Sequence, residues 1–246
     1  IPNPWDVGSA IYLEKLGFKA VASSSAGFAW SQGRTDNNVT LDQLLAHLTA
    51  LAAAVKIPVN ADFEDGLAVE PEGVATNVGK AARAGIAGLS IEDSTRGGGE
   101  PLYAFDLAVE RIKAARAAID KSGTGVLLTG RSEGFIAGRP DLAETIKRLQ
   151  AYAAAGADCL FAPGLSKKED IAAVVKAVAP KPVNLIGGPW ITVKEIADLG
   201  VRRISVGGSL ARAAWRGFSA AAKEIAEQGT FGGFAGPKLD LDSLFG

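Results

Sequence analysis

DLAETIKRLQAYAAAGADCLFA, residues 141–162, carries one complete helix-to-strand step. Asp141, with Glu144 three residues on, is a helix start signal: an N-cap oxygen accepts from a backbone N–H that the helix itself leaves unpaired. Gly156 stands just past the helix, where the chain must enter a left-handed conformation to leave it. Asp158–Ala162 then reads as a short apolar strand. The same phrase, a helix closed by Leu-Gly or Ala-Gly and then an apolar run, recurs around Gly17, Gly85 and Gly200.

Working outward from this unit, the candidate strands are Ile1–Asn3, Lys19–Ser23, Pro58–Asp62, Gly88–Glu92, Val126–Arg131, Asp158–Ala162, Pro182–Ile186 and Arg203–Val206. Their centres, such as Val126-Leu127-Leu128, are continuously apolar, as strands buried on both faces are. Between them lie helical patterns. Leu41, Leu44, Leu45, Leu48, Leu51, Ala52 and Val55 form one apolar face at helical period, opened by a Thr40/Gln43 capping box. Ser166/Glu169 and Thr192/Glu195 repeat that start signal. Eight β-then-α units predict an α/β fold, a (β/α)8 TIM barrel in a single domain spanning residues 1–246. An open doubly wound sheet would need a Gly-rich first turn, and Pro4-Trp5-Asp6-Val7-Gly8 does not supply G-x-G-x-x-G. The last helix, Ser209–Gln228, is followed by a Gly-rich tail, residues 229–246, that either wanders or docks on a partner subunit.

Composition narrows the function classes. Hydrophobic residues make up 48% of the chain, which excludes intrinsic disorder. A net charge of −1 without a basic block argues against a nucleic-acid partner. No apolar run reaches membrane-spanning length, so no membrane partner is expected. The lone Cys159 excludes an internal disulfide and a cysteine-based zinc cluster. Nothing reads as a signal peptide, and a cytoplasmic location is expected. The chain has no Met and opens as if leaving a strand, so further residues are expected before Ile1.

A barrel carries its chemistry at the C-terminal ends of its strands. Those ends present Ser23-Ser24-Ser25-Ala26-Gly27, Asn60-Ala61-Asp62-Phe63-Glu64-Asp65-Gly66, Glu92-Asp93, Arg131-Ser132-Glu133, Asn184 and Gly207-Gly208. Asp62, Glu64 and Glu92 suit a hard divalent cation, held directly or through water. Arg131 would be a fixed cation beside it, facing a substrate carboxylate or phosphonate, or else a structural partner of Glu92. Backbone N–H groups of the Ser24-Ser25-Ala26 turn suit a carboxylate or an enolate oxygen. The set fits an anionic oxo acid chelated to Mg2+, with Mn2+ as the alternative ion. Asp36 either caps the helix region at Thr40 or joins the outer sphere of the metal. His47, inside the Leu41–Val55 helix, is read as a surface or packing residue, Cys159 as buried and inert, and Trp30, Trp190 and Trp215 as packing residues.

Six phrases together resemble the isocitrate lyase/phosphoenolpyruvate mutase superfamily, in its short phosphonomutase-like branch. They are Asn3-Pro4-Trp5-Asp6-Val7-Gly8-Ser9-Ala10, Ser23-Ser24-Ser25-Ala26-Gly27-Phe28, Asn60-Ala61-Asp62-Phe63-Glu64-Asp65-Gly66, Ser90-Ile91-Glu92-Asp93, Gly130-Arg131-Ser132-Glu133-Gly134-Phe135 and Arg202-Arg203-Ile204-Ser205-Val206-Gly207-Gly208. The resemblance covers essentially the whole chain. It implies a Mg2+-dependent barrel that makes or breaks a C–C or P–C bond next to a 2-oxo acid, through an enolate-like species. It further implies Asp62 as the principal metal carboxylate, with Glu92 and Asp36 holding metal-bound waters. Arg131 would contact the departing group, Ser24, Ser25 and Ala26 the oxo-acid end, and Asn184 is placed with the substrate-binding residues. A homodimer or homotetramer is implied, with the Ser209–Gln228 helix exchanged between neighbours.

The chain also departs from that family's best-known members. Ser94-Thr95-Arg96-Gly97-Gly98-Gly99-Glu100 stands where isocitrate and methylisocitrate lyases carry a catalytic Cys loop, and where the mutases carry Lys-x-Asn. This segment is expected to close over the site and set specificity. The mutases' Asp-x-Asp reads Asn60-Ala61-Asp62, with Glu64 as the compensating carboxylate. The reading that follows is a lyase or decarboxylase of a small 2-oxo acid. Its alternatives are a phosphonopyruvate hydrolase or phosphoenolpyruvate mutase-like enzyme, a non-catalytic oxo-acid binding protein, and a phosphate-ester enzyme using Gly187-Gly188 and Gly207-Gly208.

Overall fold

The computed structural model describes residues 1–96 and 99–245. Seven parallel strands lie in one sheet in chain order, and the sheet curls into a nearly closed barrel. They are β1 (Val21–Ala22), β2 (Val59–Asp62), β3 (Gly88–Glu92), β4 (Leu127–Arg131), β5 (Cys159–Phe161), β6 (Val183–Ile186) and β7 (Arg203–Ser205). The helices are α1 (Val7–Lys15), α2 (Ser25–Ser31), α3 (Leu41–Ala54), α4 (Pro71–Ala81), α5 (Phe105–Ser122), α6 (Leu142–Ala154), α7 (Lys168–Val178), α8 (Val193–Asp198), α9 (Ser209–Gln228) and α10 (Leu241–Phe245). The α/β barrel is as expected, with one strand fewer among the described residues than the eight read from the sequence.

The missing strand is Ile1–Asn3. It lies in the gap between β1 and β7 but builds no ladder there. Ala22 N–H donates to Pro2 O at 3.0 Å. The Asn3 amide then spans the gap, donating to Ser23 O at 2.9 Å and accepting from Val206 N–H at 2.8 Å. The Ile1 amino group also donates to Ile204 O at 2.7 Å, but Pro2 has no N–H to donate, so the Asn3 side chain completes the pairing that a full ladder would make through the backbone.

The core sits between the barrel wall and the helices. All five residues of β3 are buried, Ser90 and Glu92 included, because the strand is covered on both faces. Leu44, Leu48 and Leu51 of α3 and Ile112, Ala115 and Ile119 of α5 are buried at helical spacing against the sheet. Each such Leu or Ile removes enough apolar surface from water to stabilise the fold by about 1.5–3 kcal/mol. Thr40 and Thr192 cap α3 and α8 with full capping boxes, and Asp141 caps α6. Ser166 does not cap α7: Lys167 takes the N-cap position without a side-chain bond. Asp6 and Ser9 form a capping box on α1 that the Glu/Gln pattern did not reveal, because a serine hydroxyl plays the returning acceptor. Gly156 has φ of 104°, and a Cβ there would lie 2.6 Å from the Arg116 side chain that pairs with Asp158, so the residue is fixed by conformation and by space.

Only Ala211 of α9 is buried, and Trp215, Phe218 and Ile225 lie on its exposed side. The following tail is ordered by Glu224, which accepts from Thr230, Gly232 and Gly233. Among the described residues no helix is long and apolar enough to cross a membrane.

Candidate active site

The strand ends converge on a cavity of about 230 Å³. Its lining includes Ser24, Ser25, Ala26, Asp36, Asp62 and Arg131 at the mouth, and Asn60, Asn184, Arg203 and Ser205 deeper in the barrel. A second cavity of about 420 Å³ adjoins it across Ser25, Asp36 and Arg131, and there Glu92, Ser94 and Glu133 join the wall. Every site residue read from the sequence except Glu64 therefore faces one of two connected spaces.

Arg131 is the hub. Its Nη1 lies 2.9 Å from Asp62 Oδ1, its Nη2 3.1 Å from Glu92 Oε2 and its Nε 2.6 Å from Glu133 Oε1. The Phe161 ring supports the guanidinium from 5.3 Å. Burial alone would favour loss of the proton, but the three carboxylates override it and hold Arg131 as a permanent cation. Both sequence readings of Arg131 hold at once: it pairs with Glu92, and it lines the cavity. Glu133 went unassigned in the sequence, although its spacing two residues after Arg131 at a strand end was a usable signal.

One cation among three acids leaves negative charge in excess. Burial pushes Glu92 well above the ordinary carboxylate range, and neighbouring Glu133 and Asp62 add to the rise that Arg131 opposes. Glu92 also accepts a hydrogen bond from the Ser94 hydroxyl. Asp36 is raised by burial and by the Asp62 charge. Asp62 is positioned by its own backbone N–H, which donates to Ser23 Oγ at 2.8 Å, and its Oδ2 accepts from Ser25 N–H at 3.0 Å. Ser24–Ala26 is thus the start of α2 rather than a free turn. Ser24 caps it by accepting from Gly27 N–H, and Ser25 N–H is already engaged by Asp62.

Glu64 stands apart from the cavities with φ of 50°, gripped with Asp65 by Arg96. Its Oε1 is buried with no protein partner, and burial raises it to about 7 against the pull of Arg96. The strand geometry also revises the Asn60–Asp62 pairing. Asp62 reaches the rim, whereas Asn60 lies one layer deeper and faces Arg203. Asp93 serves the scaffold: it accepts from Glu133 N–H at 2.7 Å, Arg148 at 3.1 Å and Tyr152 at 2.6 Å.

Among the described residues no three Asp, Glu, His or Cys side chains converge on one point that would cage an ion. The donors present nevertheless fit a hard cation held by one carboxylate and by waters: acidic surplus at the rim, raised Asp36 and Glu92, and an orphaned Glu64 Oε1. The Ser94–Glu100 segment sends Arg96 across to Glu64 and Asp65, while Gly97 and Gly98, part of the expected closing segment, lie outside the described residues.

His47 stacks on Phe28 at 3.9 Å and is lowered to about 4 by burial, so it is a neutral packing residue. Cys159 is buried, and burial raises its thiol above the ordinary range. Trp30 does more than pack: it lines the cavity and carries Arg212 over its ring at 4.4 Å. Trp190 and Trp215 are exposed because they sit on outward-facing loop and helix surface. Gly207 and Gly208 line the main cavity.

The chain is similar to several known proteins. The sequence profile of the family described as phosphoenolpyruvate phosphomutase matches residues 1–226. The crystal structure of a candidate lyase/mutase from Burkholderia cenocepacia J2315 is 46% identical, covers 100% of this chain and 89% of that one, and superposes with a TM-score of 0.94. The oxaloacetate decarboxylase of Paraburkholderia xenovorans (strain LB400) is 30% identical over 208 residues, 81% of this chain and 67% of that protein. The 2-methylisocitrate lyase of Aeropyrum pernix is 27% identical over 240 residues, 93% of this chain and 76% of that protein.

Proposed function

The chain belongs to the phosphoenolpyruvate phosphomutase family of lyases and mutases, and from that premise we propose that it is a Mg2+-dependent lyase cleaving a C–C bond next to a 2-oxo acid. The observation that carries this reading is the acidic rim: Asp36, Asp62 and Glu92 gathered around an Arg131 that cannot lose its proton.

Asp62 would hold the ion directly, with Asp36, Glu92 and Glu64 holding its waters. When bound, the ion supplies Lewis-acid stabilisation of the enolate charge that develops as the bond breaks. Arg131 does the complementary work. Locked in orientation by three carboxylates, it would hold the anionic end of the substrate that carries the departing group, with no reorganisation cost at that moment. Glu92, buried and raised, is able to keep a proton near the mouth at neutral pH. The segment after Glu92 has no cysteine among residues 93–101, which favours a decarboxylase or an oxo-acid lyase that does not protonate its product from a thiol. The exposed apolar side of α9 supports a homodimer or homotetramer in which this helix packs on a neighbouring barrel.

The test is pyruvate release in a coupled dehydrogenase assay, with Mg2+ and with EDTA, on oxaloacetate, alkylmalates, methylisocitrate and phosphonopyruvate. Pyruvate that requires Mg2+ and falls at least a thousandfold in Asp62→Ala is expected. Undiminished turnover in EDTA or in Asp62→Ala would sink the proposal, and phosphate released from phosphonopyruvate would move the chemistry to the P–C bond.

A further inference from the structure

The deeper end of the same cavity has the opposite electrical character. Arg203 points inward from β7 and is held by neutral groups only. Its Nε donates to Asn184 Oδ1 at 3.0 Å, its Nη2 to Thr129 Oγ1 at 2.9 Å and its Nη1 toward Asn60 Oδ1 at 3.4 Å. Among the described residues it forms no ion pair, and burial lowers it from the ordinary arginine value without a carboxylate to oppose the shift. The layer is built to present this cation. Asn184 Nδ2 donates to Ser205 Oγ at 2.9 Å, which fixes the amide with its oxygen toward Arg203. Gly88 leaves room for the Asn60 amide, since a Cβ there would stand 2.7 Å from Asn60 Oδ1. An Asp at position 60 would neutralise the guanidinium. The amide only accepts a hydrogen bond and leaves the charge whole.

A half-buried charge without a counter-ion still costs the fold part of its desolvation unless something compensates it. Arg203 lines the cavity that also holds Asp62 and Arg131, and part of its fork of N–H donors is uncommitted. An anion in the cavity would supply the missing partner, and a planar fork suits a carboxylate. We propose that Arg203 is a carboxylate-binding residue for the end of the substrate remote from the metal, and that it selects small dicarboxylic oxo or hydroxy acids over monocarboxylic ones. This rests on the reading of the rim as the site for a metal-chelating acid head.

The two readings separate in one set of calorimetric titrations on the Mg2+-loaded full chain. Oxalate probes the rim alone. Malate and lactate share a 2-hydroxy acid head and differ by the remote carboxylate. The native chain should bind malate at least tenfold tighter than lactate. Arg203→Gln should bring the two within about threefold of each other while oxalate binding stays within about threefold of native. Asn60→Asp, which keeps Arg203 in place and neutralises it, should erase most of the same preference, so the proposal does not depend on one variant folding. Malate no tighter than lactate in the native chain, or a preference that survives both substitutions, overturns the role of Arg203 while oxalate binding leaves the rim intact. Malate, lactate and oxalate weakening together would mark Arg203 as a structural plug and also overturn it. Failure of oxalate to bind the native chain overturns the rim reading and removes the basis of this one.

Discussion

Arg131, at the end of β4, is surrounded by three carboxylates, whereas Arg203, one layer deeper, is surrounded by two amides and a hydroxyl. The first cluster carries surplus negative charge and the second surplus positive charge. Asp62 and Arg131 of the first cluster share one cavity of about 230 Å³ with Arg203, and Glu92 and Glu133 line the space that adjoins it. In a confined, low-dielectric space such surpluses are felt strongly by whatever enters. A cation is drawn to the rim and an anion to the floor, so a metal-chelated acid with a second anionic end satisfies both at once.

The contrast breaks most severely at Arg131. Arg131→Met would leave Asp62, Glu92 and Glu133 facing one another with no cation between them. Removing one partner of a buried ion pair costs roughly 3–5 kcal/mol, so a large fall in chemical-denaturation midpoint is expected, together with loss of turnover of about a hundredfold or more. Arg131→Lys should recover much of the stability but little of the activity, because an ammonium does not supply the three-way planar fork. Equal activity in native and Lys variants would show that Arg131 acts only as charge.

A second way to probe the rim uses pH. Glu64 is raised from 4.5 to about 7, mainly by burial, and Glu92, Glu133 and Asp36 are raised with it. Between those values the folded chain keeps protons that the unfolded chain has released. Stability of the metal-free protein should therefore fall as pH rises from about 4.5 toward 7, the reverse of the usual carboxylate trend. Mg2+ favours the ionised forms and should flatten that slope. Melting curves from pH 4.5 to 8, in EDTA and in Mg2+, check this. A melting temperature that rises with pH in EDTA, or a slope that Mg2+ leaves unchanged, would show that the rim acids are not strained by their own charge.

Why the mouth was readable and the floor was not follows from how each is built. Asp62, Glu92 and Arg131 each end a strand, and barrel geometry alone brings strand ends together. The helix, glycine and strand rhythm located seven of the expected strands because a short run with an apolar centre follows each helix stop, although Leu127, read as buried, is exposed at the start of β4. Ile1–Asn3 forms no eighth ladder because Pro2 lacks the donor a ladder needs and the Asn3 side chain takes over the contacts to Ser23 and Val206. Arg203 pairs with Asn60 across 143 residues of chain and with Thr129 across 74, and no local pattern encodes such partners. Arg96 reaching back to Glu64 is hidden for the same reason. The sequence signal for Arg203 is a charged residue at the start of a short strand, where no neighbouring acid is placed to pair with it.

The smallest effect is expected at Cys159, and it sharpens the contrast from the chemical side. The residue starts β5 beside Thr129 of β4, in the same layer as Arg203, yet its side chain is absent from the cavity lining and its thiol is raised by burial. A neutral, enclosed thiol is poorly suited to exchange a proton with an enolate at the mouth. Cys159→Ser should therefore change turnover by less than about twofold and leave the Mg2+ requirement intact, with little change in stability because Thr129 lies beside the residue and can pair with the hydroxyl. A drop of a hundredfold or more, with folding preserved, would mean that the product proton is drawn from the barrel interior. The division of labour between an acidic, metal-holding rim and a cationic floor would then have to include a proton donor between them.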